Sequence, residues 1–563
     1  MSGATLSAST TPPSRPSFSS RFKSVASQVL NHAKKHTGVG MICAVAYFDP
    51  GNWGVDLQAG SQFGYRLLFV VLLSGLFAVY LQVLATRLGC VTGLDLASHS
   101  RLLLYNRPKH TLLYRWLGLY PLYALAEIAI IATDLAEVLG SAIALSLLFP
   151  RLELWHGVLI TGFDVILILG MGDPLRGRPV KVFEIFIAVM VLAVLICMVV
   201  IISKVNVNWA DAFQGYLPSK YIFKSGGLYT SVGILGATVM PHSLFLGSAL
   251  ATQDRIDFKP KDPDELTLTP NQSKESQETA VVHSVTARSR VSSLFNTLKE
   301  SVANAFRKPR PSSFTTRVLR HSDHQNNSFE FIHAHLSHGV LDMVGSLLGF
   351  AVIINSLILI LAAAVFYRGN SSFEGPASLF DAYDLIRELV GKPAATLFAI
   401  ALLASGQSSS IIATVAGQAV AEGFLQWRVS PIIRRLLTRL LAMIPSMIVA
   451  IAVGRSGVDT LLVASQVVLS IVLPFITFPL LYCTASKAIM NVHRSTPAGA
   501  ITPTSLQLSP SQPPGHLERG TGGDETVDFS NGKFSKCIGA AIWLAVVAAN
   551  VYVIVELGLG RGP

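Results

Sequence analysis

Apolar runs of membrane-spanning length recur along the chain, separated by short connections rich in Lys and Arg and by two long polar inserts. Since roughly 20 apolar residues cross the hydrocarbon core of a bilayer, the pattern predicts about eleven helical spans. They begin near Gly38, Arg66, Arg115, Leu154, Lys181, Leu228, Gly339, Pro393, Leu436, Thr460 and Ile538. The expected fold is therefore an all-α polytopic membrane protein. Its parts are a polar tail over 1–37, a five-helix half over 38–205, a second over 228–484 and a last helix over 538–558. A Ser-rich stretch of mixed charge over 254–335 and a second over 485–537, rich in Pro, Ser, Thr and Gly, read as largely disordered cytoplasmic loops where regulatory proteins can dock.

Composition agrees with the patterning. Charged residues make up 14% of the 563 positions and hydrophobic ones 51%, with a mean hydropathy of +0.51, whereas soluble chains carry about 25% charged side chains. A soluble enzyme, a secreted disulfide scaffold and a disordered tail protein are excluded as descriptions of the whole chain. The net charge of +11 does not point to nucleic acid, because the basic residues lie between the apolar runs, where membrane proteins place them. Cys43, Cys90, Cys197, Cys483 and Cys537 are widely spaced and predict neither disulfides nor a zinc cluster.

The basic residues also give an orientation, because Lys and Arg accumulate in cytoplasmic loops. Arg101, Arg107 and Lys109 precede span three, Arg176, Arg178 and Lys181 precede span five, and Arg428, Arg434 and Arg435 precede span nine. All are cytoplasmic if the N-terminal tail is, and that tail contains Arg15, Arg21, Lys23, Lys34 and Lys35 without an acid. Of the sequons, Asn370 is then external and open to glycosylation, while Asn271 and Asn326 face the cytoplasm.

Two spans are interrupted at mid-membrane. Span one reads GVGMICAVAYFDPGNWGVDLQAG, with Asp49, Pro50, Gly51 and Asn52 near its centre, and span six reads SVGILGATVMPHSLFLGSAL, broken at Pro241. A proline removes an amide donor and clashes with the preceding turn, and a carboxylate at this depth costs roughly 3 kcal/mol or more without a partner. Spans one and six open two five-helix halves, and interrupted helices in corresponding positions of two halves point to a midplane substrate site in a secondary transporter. The breaks free the carbonyls of Ala46 and Ala237, and bring together the Asp49 carboxylate, the Asn52 amide, the Ala237 carbonyl and the Met240 thioether. Oxygen donors with one thioether suit manganese, iron, cobalt or cadmium better than calcium or magnesium.

Span three carries Glu127, Asp134 and Glu137 within roughly 80° of one another on one face. Acids inside a membrane are functional candidates by default. His242 beside the second break is a further proton carrier, and Arg439 in span nine a partner for the acids. Asp56, Asp164, Glu184 and the Ser408 to Ser410 run are read as structural or gating groups.

The segments Asp49-Pro50-Gly51-Asn52 and Met240-Pro241-His242, the acid-rich span three and the stretch GQSSSIIATVAGQAVAEGF from Gly406 to Phe424 together resemble the Nramp family of proton-coupled divalent metal transporters. The resemblance covers about Gly38 to Ser486. It implies a LeuT-like fold of two inverted five-helix repeats, uptake of manganese and ferrous iron with protons, and metal ligation by Asp49, Asn52, Ala237 and Met240. It further implies that Gln466 in span ten joins the metal in an occluded state, and that protons leave Asp49 through Asp134, Glu137 and Arg439. Ser243 and Gly247 stand where bacterial members often have Asn and a second His, so the chain looks like a fungal member, expected in a plasma or vacuolar/endosomal membrane. Two other readings are a LeuT-like carrier of another solute, which a buried Asp beside a Met fits poorly, and a metal-sensing receptor. With no nucleophile and base, catalytic metal cluster or phosphate-binding loop in evidence, neither an enzyme nor a resident cofactor is expected.

Overall fold

The computed structural model describes residues 38–162, 175, 181–224, 226–255, 320–367, 376–426, 431–494 and 525–559. The tail to Thr37, most of the 254–335 loop, Asp164, Arg176, Arg178, Arg428 and the sequons Asn271 and Asn370 lie outside these residues. Among the described residues, eight helical runs are long and apolar enough to cross a membrane, and Leu436–Ala452 adds a shorter one.

Span one is split into α1 (Val39–Val45) and α2 (Pro50–Phe63). Span six is split likewise into α8 (Gly227–Thr238) and α9 (Pro241–Leu250). Between them lie α3 (Leu68–Thr92), α4 (Leu96–Leu104), α5 (Tyr120–Leu148), α6 (Leu154–Thr161) and α7 (Lys181–Lys204). The second half continues with α10 (Phe329–Ser346), α11 (Ile353–Ala362), α12 (Leu379–Leu389), α13 (Lys392–Leu425), α14 (Pro431–Ala452) and α15 (Arg455–Ala485). A last helix, α16 (Lys533–Gly558), follows.

Three details differ from the reading of the sequence. The seventh span begins at Phe329 rather than near Gly339, because Ser328 caps it by accepting from the Phe331 amide; its first turns are rich in His, which masks them in a hydropathy reading. The eleventh begins at Lys533 rather than Ile538. The chain is also not wholly helical: β1 (Asn491–Arg494) and β2 (Glu525–Asp528) pair antiparallel at the ends of the 485–537 segment.

Both prolines at the breaks occupy the first helical position of the second half-helix, where the missing amide hydrogen would have had no intrahelical partner. Non-helical backbone at membrane depth still has carbonyls to satisfy, and neighbouring helices supply the donors. The Phe48 carbonyl accepts from the Trp53 indole at 3.2 Å and from the Ser405 hydroxyl of α13 at 2.6 Å. The Tyr47 carbonyl accepts from the Asn355 amide of α11 at 2.7 Å.

Small residues allow these helices to meet. A Cβ added at Gly140 of α5 would lie 2.0 Å from Cβ of Pro50, and one at Gly236 of α8 would lie 2.1 Å from the Gln466 carbonyl oxygen of α15. Close backbone approach of this kind is how packing replaces the hydrophobic effect between helices in lipid. Tyr47, Phe48, Asp49 and Trp53 are all fully buried around the first break. By contrast α7 presents Ile185 and Ile196, each at least 60% exposed, as a face for lipid.

Candidate metal-binding centre

The first break places Asp49 as the cap of α2. Its Oδ1 accepts from the Asn52 backbone amide at 3.0 Å and from Asn52 Nδ2 at 2.7 Å. The same Nδ2 donates to the Ala237 carbonyl at 3.0 Å. Asn52 thus joins a carboxylate of one broken helix to the carbonyl exposed by the other. Met240, fully buried, caps α9 with extended backbone three residues after Ala237. Gln466 is wedged between the breaks: a Cβ at Gly51 would stand 1.9 Å from its Nε2, and its carbonyl packs on Gly236.

Two oxygens in this centre have no hydrogen-bond partner among the described residues, Asp49 Oδ2 and Gln466 Oε1. Buried acceptors are normally completed by a protein donor, an ordered water or an ion. The two oxygens, the Ala237 carbonyl and Met240 at the second break are donor types that suit a divalent cation of intermediate softness. The Asn52 amide points its nitrogen at Asp49 and Ala237 here, while its oxygen faces Asn355 Nδ2 at 3.4 Å, so it must turn over to serve as an oxygen ligand.

The acids of span three lie along α5. Asp134 forms a buried ion pair with Arg439 Nη1 of α14, and Arg439 Nη2 donates to the Thr161 carbonyl of α6 at 2.9 Å. Glu137 is fully buried one turn further on, and Glu127 is half-buried two turns before Asp134. His242 Nδ1 lies 3.3 Å from the hydroxyl of Thr133, next to Asp134, and connects α9 to α5; His242 Nε2 has no partner among the described residues. Asp56 is buried on α2 with Oδ2 unpartnered among the described residues. Glu184 pairs with Arg255 at 2.9 Å. Ser408 and Ser409 donate back to carbonyls of their own helix.

Residues not anticipated from the sequence complete the surroundings. Gln82 of α3 accepts from the Tyr47 hydroxyl at 3.1 Å and donates to the Ser243 carbonyl at 3.2 Å, while Tyr47 and Ser243 share a 2.7 Å bond. Asp342 of α10 accepts from the Gly40 amide at 2.8 Å and holds the start of α1. On the opposite side, a cavity of about 500 Å³ reaches α2 at Gly54 and Gln58 and is lined by Asp381, Arg455 and Asp459. Gln82, Asn355 and Asp342 carried one signal, a lone polar side chain inside an apolar span.

The fold and the site define a multi-pass membrane protein in which two interrupted helices gather buried polar groups at the core of a LeuT-like architecture. The family profile described as "Natural resistance-associated macrophage protein-like" (Nramp) matches residues 40–284 and 314–503, and the chain belongs to that family. It is 41% identical over 528 residues to manganese transporter pdt1 of Schizosaccharomyces pombe, covering 93% of this chain and 86% of the relative. It is 36% identical over 538 residues to iron transporter SMF3 of Saccharomyces cerevisiae, covering 95% and 98%. A crystal structure of the Eremococcus coleocola manganese transporter with an aromatic bis-isothiourea compound matches with a TM-score of 0.63 at 27% identity, over 96% of this chain and 88% of that one.

Proposed function

We propose that the protein is a secondary active transporter that imports divalent transition metal ions into the cytoplasm together with protons, with manganese and ferrous iron as the main substrates and cobalt and cadmium as further ones. The observation that carries this reading is the Asp49 carboxylate, buried at the junction of the two broken helices with one oxygen unpartnered among the described residues and the other tied through Asn52 to Ala237. The manganese and iron transport named for the relatives supports the substrate class.

The metal enters through the cavity at Gly54, Asp381 and Asp459 and reaches Asp49, Asn52, the Ala237 carbonyl and Met240. Gln466 joins these ligands as the site closes. On the other side, the Tyr47, Gln82 and Ser243 bonds and the hold of Asp342 on α1 keep the exit shut, and must break for release. A carboxylate that binds a cation gives up any proton it carries; that proton passes by way of His242, Asp134, Glu137 and Arg439, with Glu127 lining the cytoplasmic end. The distribution of Lys and Arg supports a cytoplasmic N-terminus.

The test is manganese uptake by the purified protein in liposomes with internal pH recorded. Metal accumulation with internal acidification is expected, and metal binding without flux would leave the protein a receptor.

A further inference from the structure

Away from the transport centre, the ends of three helices meet the segment that precedes α10. His99 of α4 has its Nε2 2.8 Å from the Thr92 hydroxyl. That hydroxyl donates to the Leu88 carbonyl at 2.6 Å, so its oxygen accepts and His99 Nε2 carries the hydrogen. The bare nitrogen of the ring is then Nδ1, which accepts a hydrogen bond from Nε2 of His321 at 2.9 Å. Cys483, a buried free thiol in the last turns of α15, completes the group, and the three ligand atoms lie within 4.8 Å of one another. A hydrogen bond on the far nitrogen that sets the tautomer and aims the near one is the arrangement found around metal-bound imidazoles.

The segment is held for the purpose by bonds independent of any ion. His324 Nε2 lies 2.6 Å from the Thr92 carbonyl, Asn327 donates to the Cys90 carbonyl at 2.8 Å, and Asn326 donates to the Ile489 and Asn491 carbonyls, each at 2.8 Å.

We propose that His99, His321 and Cys483 form a second metal site, distinct from the transport centre, which takes zinc or an ion of similar softness and fastens the segment before α10 to the ends of α3, α4 and α15. Two imidazoles and a thiolate make three of the four ligands of a tetrahedral zinc, with water as the fourth on the half-buried side of His321. Seating the ion breaks the hydrogen bond between the two rings: the His321 hydrogen moves to its Nδ1 by exchange with solvent, and the two nitrogens part by a few tenths of an ångström, to roughly 3.3 Å for bonds of about 2.0 Å. Binding releases the thiol proton to solvent. The donor set favours zinc over manganese, so the site reads a metal other than the main cargo.

The experiment uses the full chain in nanodiscs with Asp49→Asn, which silences the transport centre, and titrates zinc by competition with a chromophoric chelator. One zinc per chain is expected. His321→Ala and Cys483→Ser should each weaken it at least about 100-fold, since even loss of an outer hydrogen bond costs 10- to 100-fold. Cobalt in place of zinc should give an intense thiolate-to-metal absorption, absent in Cys483→Ser, which a thioether centre cannot produce. His321 lies on the connecting segment, so its variant separates a lost ligand from disturbed helix packing. Zinc bound with equal affinity by the parent and both variants, or cobalt without thiolate absorption, overturns the proposal, and neither result bears on transport at Asp49.

Discussion

The side-chain amide of Asn52 donates to the carbonyl of Ala237, 185 residues away, across 3.0 Å. This bond joins the two interrupted helices at the point where each exposes a polar group. In the proposed site a cation would replace this bond, and the Asn52 amide would turn over to present its oxygen. Asn52→Ala removes both the bridge and a neutral ligand, so manganese affinity measured by calorimetry should fall by about 1 to 3 kcal/mol, comparable to a hydrogen bond to a charged group. Unchanged affinity would place the metal away from this bond.

Gly236 and Gly140 are positions where an added methyl group has nowhere to go. A Cβ at Gly236 meets backbone of α15 at 2.1 Å, and one at Gly140 meets Pro50 at 2.0 Å. Gly236→Ala and Gly140→Ala should each reduce uptake severely and lower thermal stability, as overpacking typically costs about 1 to 3 kcal/mol or more. Gly345→Ala, where nothing lies within 4 Å, should transport normally. Equal activity for the three variants would mean that the helices separate freely.

The two breaks were legible because proline, glycine and a carboxylate in the middle of an apolar span contradict its own environment. The Asp134 to Arg439 pairing was legible for the same reason, as buried charges seek each other. Gln466 came only from resemblance to a family, since one Gln in an apolar helix does not say which break it faces. Asn355, Gln82 and Tyr47 were missed because their partners are backbone and side-chain groups brought near by packing, which leaves no periodic trace. The His-rich start of α10 and the four-residue strands of the β1–β2 ribbon carry too little apolar character to stand out. His321 was hidden for a different reason: it lies in a polar segment read as disordered, and its partners His99 and Cys483 are far off in sequence.

Coupling is tested at α5. Asp134→Asn and Glu137→Gln should reduce proton flux more than manganese binding, with luminal pH and metal recorded together in liposomes. Removing one partner of a buried ion pair leaves an uncompensated charge that costs roughly 3 to 5 kcal/mol. Asp134→Asn with Arg439→Gln restores neutrality, and should recover stability but not proton flux. Recovery of both would make the pair structural.

Selectivity is tested at Met240. Thioether sulfur interacts appreciably with cadmium and manganese and hardly with calcium or magnesium. In Met240→Ala the cavity admits a water oxygen, so cadmium and manganese should weaken by about 1 to 3 kcal/mol while calcium and magnesium gain relative to them. A uniform loss across all four ions in competition assays would mean that Met240 only packs.

The most direct measurement is manganese binding and uptake by Asp49→Asn, with folding verified by its melting transition. Asp49 supplies the one anionic group among the proposed ligands, and its buried Oδ2 has no partner among the described residues. The account predicts a folded protein that neither binds manganese at concentrations saturating the wild type nor accumulates it in liposomes. Binding with wild-type affinity by the folded variant would contradict it.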